Sequence, residues 1–393
     1  MKIIKINKGE ELKANGFLSN RNDDDFDSID ATVKEILNKV KAEGDSAIQY
    51  FDEKFGGPGK DKVDGLRVSY EEIEAAYNMV EPDIIDALKE AAANIKSFHE
   101  KQFMQSWTYT KGHDIMLGQL IRPISDVGVY VPGGTAAYPS SVLMNVIPAK
   151  IAGCPRVVMC TPADKNGKIS PYILAAAKIA GADEIYRSGG AQVIAALAYG
   201  TESIKKVNKI TGPGSAFVAR AKKYVYGTVD IDMIAGPSEV CVIADEKANP
   251  AFIAADMLSQ AEHDKMASSV LITTSADIAE RAAAEVERQL QNLDRIEFAS
   301  ESINNNAAIF IVEDLDSAFE IANDIAPEHL ELVIENSEKY LDKVLYAGAV
   351  LLGEYSSEPL GDYIAGPNHT LPTSGTAKFA SPLGVYDFMT RTS

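Results

Sequence analysis

Histidine, cysteine, tryptophan and positive charge are all scarce in this chain. Among 393 residues there are five histidines, three cysteines and one tryptophan, and 38 Lys and Arg stand against 57 Asp and Glu, a formal net charge of −19. A phosphate backbone selects a basic surface, so this balance argues against nucleic acid as the main partner. A solvated acidic surface is its simplest meaning, and it leaves the substrate open because local charge can oppose the net. Cys154, Cys160 and Cys241 lie in apolar strand-like or loop surroundings without metal-type spacing. An odd number of cysteines fits buried packing in a reduced, cytoplasmic compartment better than a disulfide framework. No window approaches the roughly 18 consecutive apolar residues of a membrane span, and Met1–Asn7 lacks the apolar core of a secretory signal.

What is present is an ordinary globular composition, 46% apolar and 24% charged, in a chain long enough for two or three domains. Residues 1–105 read as a mainly helical region suited to scaffolding or subunit contact. Ile29, Val33, Ile36, Leu37 and Val40 recur at helical spacing up to Gly44, and further helical patterns cover 46–55, 70–80 and 82–101. The Asp23–Asp25 run reads as a solvated loop. From about 106 to 235, short apolar strands (127–131, 156–160, 184–186 and 209–210) alternate with alanine-rich helices. A second such series fills 236–372, with strands at 239–243, 269–272, 308–312, 330–334 and 349–352. Strand–helix alternation of this kind predicts βαβ units around mostly parallel sheets, and so two α/β domains of similar design. The tail 373–393 reads as irregular.

Ser259-Gln-Ala-Glu-His263 is the most distinctive polar cluster. The pattern predicts a helix over 250–265, with Asn249 as N-cap and Pro250 in the first turn. Gln260 and His263, three apart, then project from one side, where an amide oxygen and an imidazole suit a divalent metal such as zinc. Taken alone, the pair is more simply a hydrogen-bonded helix end. Glu328-His329 follows Ala326-Pro327, which reads as a helix start; the pair is equally a surface acid with a capping histidine or two proton-transfer groups at one site. Asp362 lies in a loop after a strand, where open α/β sheets place ligand-binding groups, and His369 is close behind it. His99 and His113 lack such company and read as structural or exposed. In the first α/β region three glycine-rich loops, Pro132–Tyr138, Ser188–Gln192 and Thr211–Ser215, each join a strand to a helix. None is a GxGxxG fingerprint, but three on successive strands form a plausible cofactor-binding edge.

In combination, Val131-Pro-Gly-Gly134, Gly189-Gly-Ala-Gln192, Ala235-Gly-Pro-Ser-Glu239, Leu258-Ser-Gln-Ala-Glu-His-Asp264, Ala326-Pro-Glu-His-Leu330 and Asn368-His-Thr-Leu-Pro372 resemble the histidinol dehydrogenase family over essentially the whole chain. That family is zinc- and NAD-dependent and serves the last two steps of histidine biosynthesis. The resemblance implies two incomplete Rossmann-like domains with parallel sheets, smaller appended parts and an intertwined homodimer. It implies zinc ligation by Gln260, His263 and Asp362, and acid–base roles for Glu328 and His329. Ser238 and His369 would contact L-histidinol, with Gln260, His263, His329 and Asp362 also lining its site, and Tyr130, Gln192 and Ser215 would serve NAD.

The implied chemistry is a four-electron oxidation of L-histidinol to L-histidine through histidinal. His329 would take the hydroxyl proton and Glu328 would activate the water that hydrates the aldehyde. Two departures from the family pattern bear on it. Asparagine usually occupies the position of Ser215, and the shorter serine implies weaker NAD binding. Family members also continue past Ser393 with a segment carrying a fourth zinc ligand (a histidine) and a substrate-contacting glutamate, whose absence implies weaker metal and substrate binding and impaired activity. Two other readings stay open: an NAD/zinc dehydrogenase of another small polar alcohol, disfavoured by the setting of His369, and a non-catalytic homologue, disfavoured by Gln260, His263, Asp362, Glu328 and His329 standing together.

Overall fold

The computed structural model describes residues 1–7, 27–59, 65–133 and 138–393, and the chain divides into two compact α/β units. The Asp23–Asp25 run and the centre of the Pro132–Tyr138 loop lie outside the described residues.

One unit comprises Phe26–Ile234, Asp362–Thr370 and Leu383–Ser393. Its five-stranded sheet runs in the order Glu184–Arg187, Arg156–Thr161, Asp126–Tyr130, Lys209–Thr211, Asp230–Ile231, and every pairing is parallel. Helices cover both faces, so these strands are apolar on both sides rather than alternating with polar residues. Along Arg156–Thr161, Val157 and Met159 enter one core while Val158 and Cys160 enter the other, the period-two alternation of a pleated strand. The first core is shared with helices Pro139–Ala152, Pro171–Ala180 and Pro82–His99. The second is shared with Gly190–Tyr199, Ala216–Val225 and the N-terminal helices Asp27–Glu43 and Asp45–Lys54. The stripe Val33, Ile36, Leu37 and Val40 is therefore core, and these helices belong to the same unit as the sheet they cover.

A three-stranded antiparallel sheet gave no readable signal in the sequence. Trp107–Lys111 and Ile115–Pro123 form a hairpin, and Met389–Thr392 pairs with its second strand. All five residues of the first strand are exposed, so no in–out alternation marks it. The tail expected to be irregular ends in that strand and buries Phe388 completely beside Val385. The Phe388 carbonyl accepts the Ile124 N–H at 2.8 Å and the Cys154 thiol at 3.7 Å.

The other unit holds the N-terminal strand with Ala235–Gly361 and Leu371–Pro382. Its six strands lie in the order Lys2–Lys5, Ala307–Ile311, Ser268–Thr273, Glu239–Ala244, His329–Val333, Ala349–Leu352, again all parallel. Lys2–Lys5, in a region read as mainly helical, is an exposed edge strand too short to carry a pattern. Glu239–Ala244 is entirely buried between two apolar clusters. The helix expected over 250–265 stops at Ala261. The helix start expected at Pro327 is instead a strand beginning at His329, because Leu330-Glu-Leu-Val333 pairs with Glu239–Ala244 and Ala349–Leu352 on either side.

Phe388→Ala should destabilise its unit by about 3–5 kcal/mol through cavity formation. Phe379→Ala, at a residue 85% exposed, should change stability by less than about 0.5 kcal/mol. Denaturant melts of the two variants against the wild type test this; equal effects would refute the packing role of the tail.

Candidate active site

The glycine-rich turns of the five-stranded unit border a cavity of about 950 Å³. It is lined by Pro132, Gly133, Gly189, Gly190, Gln192 and Ser215, together with Asp52 and Phe55 from the N-terminal helices. Ser215 is exposed at the N-cap position of helix Ala216–Val225, yet its hydroxyl caps no backbone N–H. Tyr130 stands behind the loops rather than in the wall. Its buried hydroxyl accepts the Gly190 N–H at 3.3 Å, and burial pushes its pKa up. Gly212 has φ +111°, and a Cβ there would lie 2.0 Å from the Tyr130 carbonyl, so only glycine fits. That turn is clasped from both ends: the Gly212 N–H donates to Asp232 at 2.8 Å, and the Lys222 ammonium, itself paired with Asp232, donates to the Gly212 carbonyl at 2.9 Å.

Asp52 gave no signal in the sequence, being one acid in a polar helix end. In the fold it is 7% exposed. Its Oδ1 accepts the Ser188 hydroxyl at 3.0 Å and Gln192 Nε2 at 2.8 Å. Burial pushes its pKa from 3.8 to about 6, against the pull of those hydrogen bonds and of the Gly189 N–H.

The six-stranded unit carries Ser238, Gln260, His263, Glu328 and His329. His329 pairs in register with Val240, which brings Glu328 and His329 against the backbone of Glu239. The Glu239 N–H donates to Glu328 Oε2 at 2.9 Å, and the Glu239 carbonyl meets His329 Nδ1 at 3.2 Å. A carbonyl only accepts, so Nδ1 carries the hydrogen and the neutral ring keeps its lone pair on Nε2. Both side chains are buried, 8% and 2% exposed, and Nδ1 lies 3.9 Å from the Glu328 carboxylate.

Gln260 lies in the last turn of helix Pro250–Ala261, while His263 follows in the turn beyond it, joined by a 3.0 Å bond from the His263 N–H to the Gln260 carbonyl. Gln260 is 1% exposed, and its Oε1 has no hydrogen-bond partner. Ser238 is half-buried just before the Glu239–Ala244 strand, where its carbonyl accepts the Ser268 N–H at 3.0 Å.

Asp362 and His369 belong to the five-stranded unit. His369 Nδ1 is 4.0 Å from Asp362 Oδ2, and its ring stands perpendicular to that of Tyr363. The neighbouring Asn368 is fixed by a 2.7 Å donation to the Met144 carbonyl, and its second amide hydrogen meets His99 Nε2 at 3.3 Å. His99 is thus a fully buried structural histidine, with Nδ1 on the Ile95 carbonyl and its pKa lowered by burial; His113 is exposed.

Three buried acids near His329 also escaped the sequence reading. An oxygen of Glu358 comes within 4.8 Å of a His329 nitrogen and accepts the Ser259 hydroxyl at 3.0 Å. Glu331 stands two residues along the same strand face, beside Asp256. Burial first, and then the Asp256 charge, hold Glu331 well above the carboxylate range, and burial also raises Asp256. Each acid is isolated in sequence, so only the strand register exposes the cluster.

Two parallel α/β sheets, one bordered by a glycine-lined cavity and one carrying the buried Glu328–His329 pair, place the chain among the α/β enzymes. The Histidinol dehydrogenase family model matches residues 19–393. Histidinol dehydrogenase from Listeria monocytogenes serotype 4b (strain F2365) is 57% identical over 365 residues, spanning 93% of this chain and 84% of the relative. The enzyme of that name from Clostridium acetobutylicum is 54% identical, spanning 92% and 83%. The crystal structure of histidinol dehydrogenase from Elizabethkingia anophelis superimposes with a TM-score of 0.91 at 38% identity, covering 100% of this chain and 89% of that one. An aldehyde dehydrogenase from Brucella melitensis biovar abortus 2308 is alike in fold alone, with a TM-score of 0.50 at 14% identity over 92% of this chain and 89% of the other. The chain belongs to the histidinol dehydrogenase family.

The raised pKa of Asp52 has a defined sign. The folded chain holds this proton more tightly than the unfolded one, so its contribution to stability is complete below about pH 4 and is lost as pH rises through 6. Asp52→Asn, which cannot ionise, should gain about 1 kcal/mol on the wild type between pH 5 and pH 7.5. Denaturant melts at the two pH values check it; a gap that does not widen would contradict the burial of an ionised carboxylate.

Proposed function

We propose that this protein catalyses the zinc-dependent, NAD-linked oxidation of L-histidinol to L-histidine through histidinal, in histidine biosynthesis. The observation that carries this reading is the buried Glu328–His329 pair, oriented through the Glu239 backbone in a chain of this family.

Gln260, His263 and Asp362 are assigned as ligands of one zinc ion. The buried, unpartnered Oε1 of Gln260 supports this, since such an acceptor costs free energy unless a donor or cation satisfies it. An amide oxygen, an imidazole and a carboxylate are all within the ligand chemistry of zinc. When bound, zinc would supply the positive charge that holds the amino alcohol through its amine and imidazole.

NAD is assigned to the cavity bordered by the glycine-rich turns, with Gln192 and Ser215 in its wall and Tyr130 supporting the Gly190 turn. A volume of about 950 Å³ is at the large end for ligand pockets and suits a dinucleotide. When bound, NAD would accept the hydride, two molecules being used per histidine formed.

The residues then divide the proton work. With Nδ1–H committed to the Glu239 carbonyl, His329 Nε2 takes the hydroxyl proton as the carbinol carbon is oxidised. Glu328, tied through Oε2 to the Glu239 N–H, takes a proton from the water that adds to the aldehyde carbon. His329 acts again on the hydrate, whose oxidation leaves the carboxylate. Ser238 and His369 contact the substrate.

An intertwined homodimer is part of the proposal, and the exposed apolar side chains of the hairpin, Trp107, Tyr109, Met116 and Leu117, support an interface with a second copy. No helix among the described residues is long and apolar enough to cross a membrane. Burial of all three cysteines outside any disulfide supports a cytoplasmic setting.

Purified protein given zinc, NAD and L-histidinol should form two NADH per histidine. His329→Ala should lower turnover by about 10²–10⁴-fold with zinc content near wild type; loss of metal from that variant would remove its assignment as base. Gln260→Ala should lose zinc, read by metal analysis rather than by rate. Glu328→Gln should slow the aldehyde-to-acid half more than alcohol oxidation, and equal slowing would refute its role with water.

A further inference from the structure

The cavity assigned to NAD contains a carboxylate that none of the chemistry above uses. Asp52 comes from helix Asp45–Lys54, 140 residues before Gln192, and both side chains line the cavity. An ionised carboxylate only accepts hydrogen bonds, so it selects one of the two orientations of the Gln192 amide. Nε2 turns to Asp52 Oδ1 at 2.8 Å, and Oε1 is left facing the other way. There Oε1 is buried and unpartnered, on a side chain only 3% exposed. Only glycine fits beside it: at Gly190, with φ +65°, a Cβ would stand 2.6 Å from Oε1. A buried amide oxygen in this state is unfavourable by itself and becomes favourable when a ligand brings a donor. Dinucleotides carry such donors in their amide and amine N–H groups and their ribose hydroxyls.

We propose that Asp52 is a positioning residue for the cofactor: its carboxylate locks the Gln192 carboxamide so that Oε1 is presented as an acceptor to a donor group of the bound dinucleotide. The inference rests on the NAD reading of this cavity. The same carboxylate also holds the Ser188 hydroxyl, which keeps the turn ahead of Gln192 in place. A flipped amide would set Oε1 against the negative charge and point Nε2 where the ligand must donate, so orientation and affinity are linked.

The test is a double-mutant cycle on the full-length protein, read by calorimetric titration with NAD and by steady-state kinetics. Asp52→Ala should weaken NAD binding about tenfold in the wild-type background and less than about twofold in a Gln192→Ala background. In Asp52→Ala the KM for NAD should rise by a larger factor than kcat falls, as expected for a residue acting on cofactor binding. Asp52→Asn keeps an acceptor oxygen and should recover most of the lost affinity. If Asp52→Ala does not fold, Asp52→Leu fills similar space without an acceptor and takes its place in the cycle. Equal losses in both backgrounds would reduce Asp52 to a structural tie and overturn the proposal, as would an Asn variant no better than Ala. Failure of the wild-type protein to bind NAD would overturn the cofactor reading itself, and this inference with it.

Discussion

The parallel pairing of His329–Val333 with Glu239–Ala244 is the constraint on which the orientation of Glu328 and His329 depends. One residue, Glu239, offers its N–H to Glu328 and its carbonyl to His329, and these backbone groups cannot move without unzipping a fully buried strand. Orientation is therefore set by the sheet and not by side-chain packing alone. A backbone carbonyl at Nδ1 also decides the tautomer of the imidazole, which a water or a hydroxyl would leave open. A one-residue slip would turn both side chains to other partners, so register and orientation are one property here.

The same strategy governs the other unit. The turns bordering its cavity are held at their backbone groups by groups brought from elsewhere: Tyr130 at Gly190, and Asp232 with Lys222 at Gly212. Asp52, from the helical N-terminal region, does the corresponding work on the Gln192 side chain. The N-terminal helices are thus part of the cavity wall as well as a scaffold, through one polar residue on an otherwise apolar face: Ala47, Ile48 and Phe51 of the same helix are buried core.

Strand–helix alternation in the sequence was enough for the two parallel sheets, because strands buried on both faces are short uninterrupted apolar runs. Helix Leu315–Ile325, with its strong periodicity, was legible for the same reason. The antiparallel hairpin was not, since a strand exposed on both faces has no hydrophobic alternation. The start of the His329 strand was misread because Ala-Pro-Glu-His has local helix-start chemistry, which the pairing energy of two neighbouring strands overrides. Glu328 and His329 stood out as an unusual dipeptide. Glu331, Asp256, Glu358 and Asp52 did not, because a lone acid in an apolar segment is indistinguishable from a surface charge until register and helix packing bury it.

Asp52, Glu331 and Asp256 share a physical character. Each sits where desolvation or a like charge opposes its ionised form, so each makes the fold less stable at neutral pH than an apolar or amide replacement would. An ionised carboxylate has one capability that such a replacement lacks: it accepts hydrogen bonds and never donates. Where a neighbouring amide is to be held in a single orientation, as proposed for Gln192 beside Asp52, an apolar replacement would offer no acceptor and leave both orientations accessible. Local instability at Asp52 and a defined hydrogen-bond direction in the cavity are thus two consequences of the same buried negative charge.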